Sequence, residues 1–98
     1  MSNYVIVSRH PAAIEFIKES DDRFFNAPVI AQAHADDVIG KFVAGNLPLN
    51  LAALAAEVVA VEFSGAPPRG AEYGIEEMRA AGAVLRHYVV QQVSSEEE

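Results

Sequence analysis

Apolar positions along this chain fall into short runs parted by polar breaks, and the runs alternate between two spacings. Tyr4-Val5-Ile6-Val7 is a continuous, largely β-branched run, which predicts a buried strand over residues 3–8. Pro11 then opens a helical pattern over residues 11–20, where its missing N–H costs little. Ala13, Phe16 and Ile17 share one face of that helix, and Glu15, Lys18 and Glu19 share the other. Asp21-Asp22 closes it. Phe24 to Ala31 is expected to hold a second strand, its limits blurred by Pro28. Asp36-Asp37 marks a turn, and Val38 to Ala44 reads as a third strand interrupted at Gly40. Leu47 to Glu57 reads as a helix, apolar nearly all round and so buried on more than one side. Val58 to Phe63 follows as a fourth strand with no turn signal before it, and Ser64 to Gly74 is a loop with Pro67-Pro68 at its centre. Ile75, Met78, Gly82 and Leu85 line one face of a last helix, with Glu76 and Glu77 in its first turn, where they suit the helix dipole. Tyr88 to Val93 is expected to be the last strand. This alternation predicts a single α/β domain over residues 1–93, with a mostly parallel sheet and helices on its faces. Residues 94–98, Ser-Ser-Glu-Glu-Glu, read as a disordered acidic tail.

Composition narrows the function. A chain of 98 residues is one domain, and its apolar fraction of 51% is slightly high for a soluble one. That excess hints at apolar surface covered by a second subunit. The net charge of −7 argues against a broad face for duplex DNA, though a few local cations can still hold a small anion. With no cysteine there is no disulfide frame and no thiolate metal site. No apolar run approaches membrane-spanning length, and a basic flank and cleavage site of the secretory kind are lacking, so the expectation is a cytoplasmic protein without membrane contact.

Three polar loops carry candidate chemistry. Ser8-Arg9-His10-Pro11 puts a hydroxyl, a guanidinium and an imidazole on the turn after the first strand. In open α/β sheets the carboxyl ends of the strands are where ligands bind. A phosphate-bearing ligand fits this trio; the plainer alternative is a helix-capping Ser8 beside solvated Arg9 and His10. Gly45-Asn46-Leu47-Pro48-Leu49-Asn50 is the second loop, in which Asn46 can cap the helix whose first turn holds Pro48. Asn50 either reaches a ligand or is a buried amide satisfied by nearby backbone. The third loop holds Arg69 after two prolines, either a constrained ligand contact or a solvated cation. If the strand order brings the first two loops together, all three can converge on one ligand.

Other candidates are weaker. His34 and His87 lack metal-ligand spacing with His10, and each reads as structural or solvated. Asp36-Asp37 is a conceivable divalent-ion site, but adjacent acids at a turn usually face water. Tyr4, Tyr73 and Tyr88 could stack on a base, although a single tyrosine normally packs. No Walker loop and no GxGxxG string occurs, so a nucleoside triphosphatase or dinucleotide enzyme is unsupported.

Taken in order, these segments resemble a small accessory family of type III CRISPR systems. Val7-Ser8-Arg9-His10-Pro11-Ala12-Ala13-Ile14-Glu15-Phe16 is similar to its opening, and Gly45-Asn46-Leu47-Pro48-Leu49-Asn50-Leu51-Ala52-Ala53 to its central Gly-x-Leu-Pro-Val-Asn-Leu-Ala-Ala string. Arg69-Gly70-Ala71-Glu72-Tyr73, Glu77-Met78 and Gly82-Ala83-Val84-Leu85 resemble its last third. The resemblance implies a Rossmann-like three-layer sandwich of the CRISPR-associated sensor-domain kind. It also implies a homodimeric ring nuclease that binds cyclic tetra-adenylate and cuts it, with no cofactor; the ribose 2′-hydroxyl already adjoins the scissile phosphate, so that chemistry needs no metal. On that implication His10 is the general acid or base, Arg9 stabilises phosphate charge, and Ser8 hydrogen-bonds the phosphate or the 2′-hydroxyl. Gly45, Asn46, Leu47, Pro48, Asn50 and Arg69 would then contact the ligand. A non-catalytic binder of the same ring, and an α/β interaction protein without a nucleotide site, are the other readings.

Overall fold

A computed structural model of the chain describes residues 3–65 and 74–93. It contains strands β1 (Tyr4–Val7), β2 (Val29–Ile30), β3 (Phe42–Gly45), β4 (Glu57–Phe63) and β5 (Ala83–Tyr88). Its helices are α1 (Pro11–Ser20), α2 (Ala35–Val38), α3 (Leu49–Ala52) and α4 (Ile75–Ala80), with a 3-10 turn at Asp22–Phe24. The sheet order is β2-β1-β3-β4-β5; β1 to β4 run parallel, and β5 is antiparallel to β4. This is the mostly parallel α/β sheet that the alternation predicts.

The period-2 geometry of the strands divides the core between the two faces of the sheet. Val5, Val7, Val43 and Val58 point to one face and meet Val38, Ala52 and Ala55 from the α2–α3 side. Ile6, Ala44 and Val59 point to the other and meet Ile17 of α1, Phe24 and Ala27. Ala12 and Phe16 of α1 pack on Met78 of α4 beside Leu85 of β5. Helices therefore cover both faces, the three-layer arrangement. Ile6, Ile17, Val43 and Val59 are fully buried, each contributing on the order of 1.5–3 kcal/mol of hydrophobic stabilisation.

Several element limits differ from the sequence reading. The helix expected over Leu47 to Glu57 is a single turn, α3, and only Ala52 and Ala55 of the stretch are buried. Ala53 to Ala56 have high helix propensity, but the chain must turn back to lay β4 beside β3. The turn is held by Gly40 N–H donating to the Leu54 carbonyl at 2.9 Å and Ala56 N–H donating to the Lys41 carbonyl at 2.8 Å. Tertiary pairing overrides local propensity here.

The third strand begins at Phe42, because Val38 ends α2 with its side chain buried and Gly40 takes a positive φ of 69° to reverse the chain. Asp36 and Asp37 lie in the first turn of α2 rather than in an open turn. The second strand shrinks to Val29–Ile30, since Phe24 turns into the core within the 3-10 turn. The last helix stops at Ala80. Gly82 at φ 79° turns the chain into β5, so Leu85 joins Ile75 and Met78 from a strand instead of from the same helix face. The last strand is Ala83–Tyr88, not Tyr88 to Val93, because its antiparallel register pairs Ala83 with Phe63 and Tyr88 with Val58. Residues 66–73, with Arg69 and Tyr73, and the acidic tail lie outside the described residues.

Candidate functional site

The site is built where β1 and β3 end side by side. Their register pairs Val7 with Gly45, so the turn Ser8–His10 and the loop starting at Asn46 leave the sheet as neighbours. Glycine at position 45 is a steric demand. Its φ is 129°, and a Cβ there would lie 2.0 Å from the Val7 carbonyl oxygen. The Gly-Asn step of the second loop is thus what lets the two loops meet.

A cleft of about 840 Å³ opens at this edge, toward the upper end of the ~300–1,000 Å³ common for ligand sites. Ser8, Arg9 and His10 border it from β1–α1, Gly45 and Asn46 from β3, and Gly74 and Ile75 from the start of α4. Val61 and Phe63, backed by the fully buried Met78, form an apolar wall. Arg9 and Asn46 are exposed, so both heads are open to a ligand.

Ser8 does not cap α1; His10 occupies the cap position without a side-chain cap bond. The Ser8 Oγ instead accepts from the His10 backbone N–H at 3.1 Å, and the Ser8 N–H donates to the Ile30 carbonyl at 3.0 Å. The hydroxyl keeps its own proton for donation, since that contact uses one lone pair. Both ring nitrogens of His10 are covered from solvent.

The second loop departs from expectation beyond Asn46. Pro48, not Asn46, is the cap residue of α3. Leu47, Pro48 and Asn50 are not among the residues lining the cleft, and Asn50 is exposed rather than a buried amide. Arg69 belongs to the third loop, outside the described residues; Gly74, which follows that segment, borders the cleft.

Glu15 is the residue that the sequence reading missed. It lies on the outer helix face as expected, lining a groove there with Lys18, Glu19 and Phe25, and it also borders the cleft one turn beyond Pro11. Helical side chains lean toward the helix N-terminus, which carries this carboxylate toward the His10 turn. The i, i+4 spacing from Pro11 was the available signal.

The remaining candidates lie elsewhere. His34 occupies the cap position of α2, its N–H donating to Asp37 Oδ2 at 2.8 Å. His87 Nδ1 lies 2.6 Å from Glu57 Oε2. Tyr4 packs edge-on against Phe24, with ring centroids 5.5 Å apart, and Tyr88 donates its hydroxyl to Glu62. Among the described residues no group of three or more His, Asp or Glu side chains could hold a metal ion, and no helix is long and apolar enough to cross a membrane.

The family model described as "Putative CRISPR-associated protein (Cas_VVA1548)" matches residues 5–91. No curated protein and no solved structure matches the chain.

Proposed function

We propose, from the premise that this chain belongs to that CRISPR-associated family, that it is a ring nuclease: a homodimer that binds cyclic tetra-adenylate and cuts it to linear di-adenylate, switching off a type III antiviral signal. The observation that carries this reading is the meeting of Ser8, Arg9 and His10 with Gly45 and Asn46 around one cleft at the carboxyl edge of the sheet. A hydroxyl, a guanidinium, an imidazole and a carboxamide meet there, groups that suit a phosphodiester and an adenine. A cyclic tetranucleotide has approximate four-fold symmetry, so a two-fold dimer can offer the same cleft to opposite halves of the ring.

The chemistry uses the ligand's own nucleophile. The ribose 2′-hydroxyl adjoins the scissile phosphate, and the protein has to bring it in line with the leaving 5′-oxygen, stabilise the phosphorane and move protons. Arg9 holds the phosphate oxygens through charge-assisted hydrogen bonds. Ser8 donates its remaining hydroxyl proton to the phosphate or holds the 2′-oxygen. His10 transfers a proton, for which an imidazole is suited near neutral pH. Asn46, donor and acceptor at once, reads the adenine edge. The products are di-adenylates ending in 2′,3′-cyclic phosphate.

The test is to incubate the purified protein with cyclic tri-, tetra- and hexa-adenylate in EDTA and to resolve the products by chromatography. The expected result is cleavage of the tetra-adenylate, slowed about 10²–10⁴-fold in His10→Ala with modest loss of binding. Unchanged single-turnover cleavage by the variant removes His10 from the role.

One observation favours a second reading, a protein that sequesters the ring without cutting it. Proton transfer needs a ring nitrogen within hydrogen-bond reach of the ligand, and both nitrogens of His10 are covered here. Under that reading the ring returns intact from the incubation.

A further inference from the structure

We propose that Glu15 is a second catalytic residue of this cleft, the general base that takes the proton of the attacking 2′-hydroxyl. The inference rests on the ring-nuclease reading above. Among the described residues bordering the cleft, Glu15 supplies the sole carboxylate, and none of them holds it in a hydrogen bond or ion pair. It is exposed, so its oxygens are open to a ligand. Its place on α1, one turn past Pro11, sets it on the rim between the cleft and an outer groove, and helical side chains lean toward the N-terminal turn.

A carboxylate beside a phosphodiester is a liability for binding alone. Two negative charges in a partly desolvated cleft repel, and no arginine within the described structure is paired with Glu15 to cancel the effect. It becomes useful if the ligand presents a proton to be removed. An ionised carboxylate can only accept. The 2′-hydroxyl is the ligand group whose proton must leave as the oxygen attacks. With Glu15 meeting the nucleophile, His10 is left to serve the leaving group, as the ring-nuclease reading has it.

The step balances. The 2′-oxygen forms a bond to phosphorus as its proton passes to the Glu15 carboxylate. The bond from phosphorus to the 5′-oxygen breaks, and that oxygen takes a proton from the His10 imidazolium. A 2′,3′-cyclic phosphate and a free 5′-hydroxyl result, with no water consumed. The two side chains exchange protonation states and are reset through solvent.

Glu15→Gln tests this, with single-turnover cleavage of cyclic tetra-adenylate and direct binding of the same ring measured in parallel. The amide keeps the size and loses both the charge and the basicity. The expected result is a split: cleavage falls by about 10²–10⁴-fold while binding is unchanged or tighter. Wild-type cleavage rate in the variant overturns the inference and leaves the ring-nuclease reading standing. Weaker binding with a proportionate rate loss also overturns it, making Glu15 a ligand contact. A wild-type protein that binds the ring and never cuts it defeats the underlying reading, and this assignment with it.

Discussion

The two ends of the sheet are built on opposite plans. At the amino end, charge is closed on itself. The Arg23 guanidinium lies about 5.8 Å from the centroids of Tyr4 and Phe42 and 5.9 Å from that of Phe24. It donates to both oxygens of Asp21, Nε at 3.0 Å and Nη2 at 2.8 Å. Glu57 joins this group from the first position of β4 and is taken by His87. At the carboxyl end, Arg9 and Glu15 border an open cleft and form no ion pair among the described residues. Both ends carry an arginine and a carboxylate near the first strand. The amino end spends its charges on holding elements together, while the carboxyl end keeps them available. On the proposed function, stability and ligand recognition are thereby separated onto opposite edges of a small domain.

Four substitutions probe that separation. The largest effect is expected from Gly45→Ala, which sets a methyl against the Val7 carbonyl in a backbone region closed to alanine. The cost should exceed about 3 kcal/mol, lowering Tm in a circular-dichroism melt by more than about 12 °C for a domain of this size. A melt within a couple of degrees of wild type would mean that the two strand ends do not approach so closely. Next comes Arg9→Ala. Losing a charge-assisted phosphate contact worth about 1.5–3 kcal/mol should weaken cyclic tetra-adenylate roughly 10–150-fold, with stability changed by less than about 0.5 kcal/mol.

Arg23→Ala is the mirror image. It should remove about 1–2 kcal/mol of folding stability, from a partly exposed ion pair and cation–π contacts with three rings, and leave ring affinity unchanged. Titration calorimetry and urea unfolding on both arginine variants decide it; an affinity loss in Arg23→Ala would break the separation. The smallest effect concerns pH. Hydrogen bonds from the Arg23 side chain, opposed in part by burial, hold the Asp21 carboxyl below its ordinary value. A carboxyl lowered by folding adds stability above the ordinary aspartate range, and that stability disappears as pH falls through the lowered value. Asp21→Asn should cost under about 1 kcal/mol at neutral pH and flatten the loss of stability on the acid side, read as urea midpoints against pH.

Parts of the candidate site are legible in the amino-acid sequence. The run Tyr4 to Val7 and the helix opening at Pro11 are local signals, and together they set Ser8, Arg9 and His10 on a strand-to-helix turn. Asn46 is legible because glycine and asparagine break a strand visibly. Glu15 is not, because a helix has one apolar stripe but several polar positions, and periodicity cannot tell which of these looks into a cleft and which into water. His10 shows the same limit: its place is plain, but the covering of its ring nitrogens depends on what packs around the turn.

The alternating α/β plan, the first strand and helix, and a chemically loaded turn between them are therefore written in the linear chain. Those features rest on interactions within a few residues, where side-chain spacing reports geometry directly. Long-range packing had to settle that β1 and β3 are neighbours, that α3 lasts one turn, and that β5 runs antiparallel. Each of these follows from backbone meeting backbone across long stretches of sequence. Gly45 against the Val7 carbonyl is the sharpest case, a contact that hydrophobic periodicity does not encode.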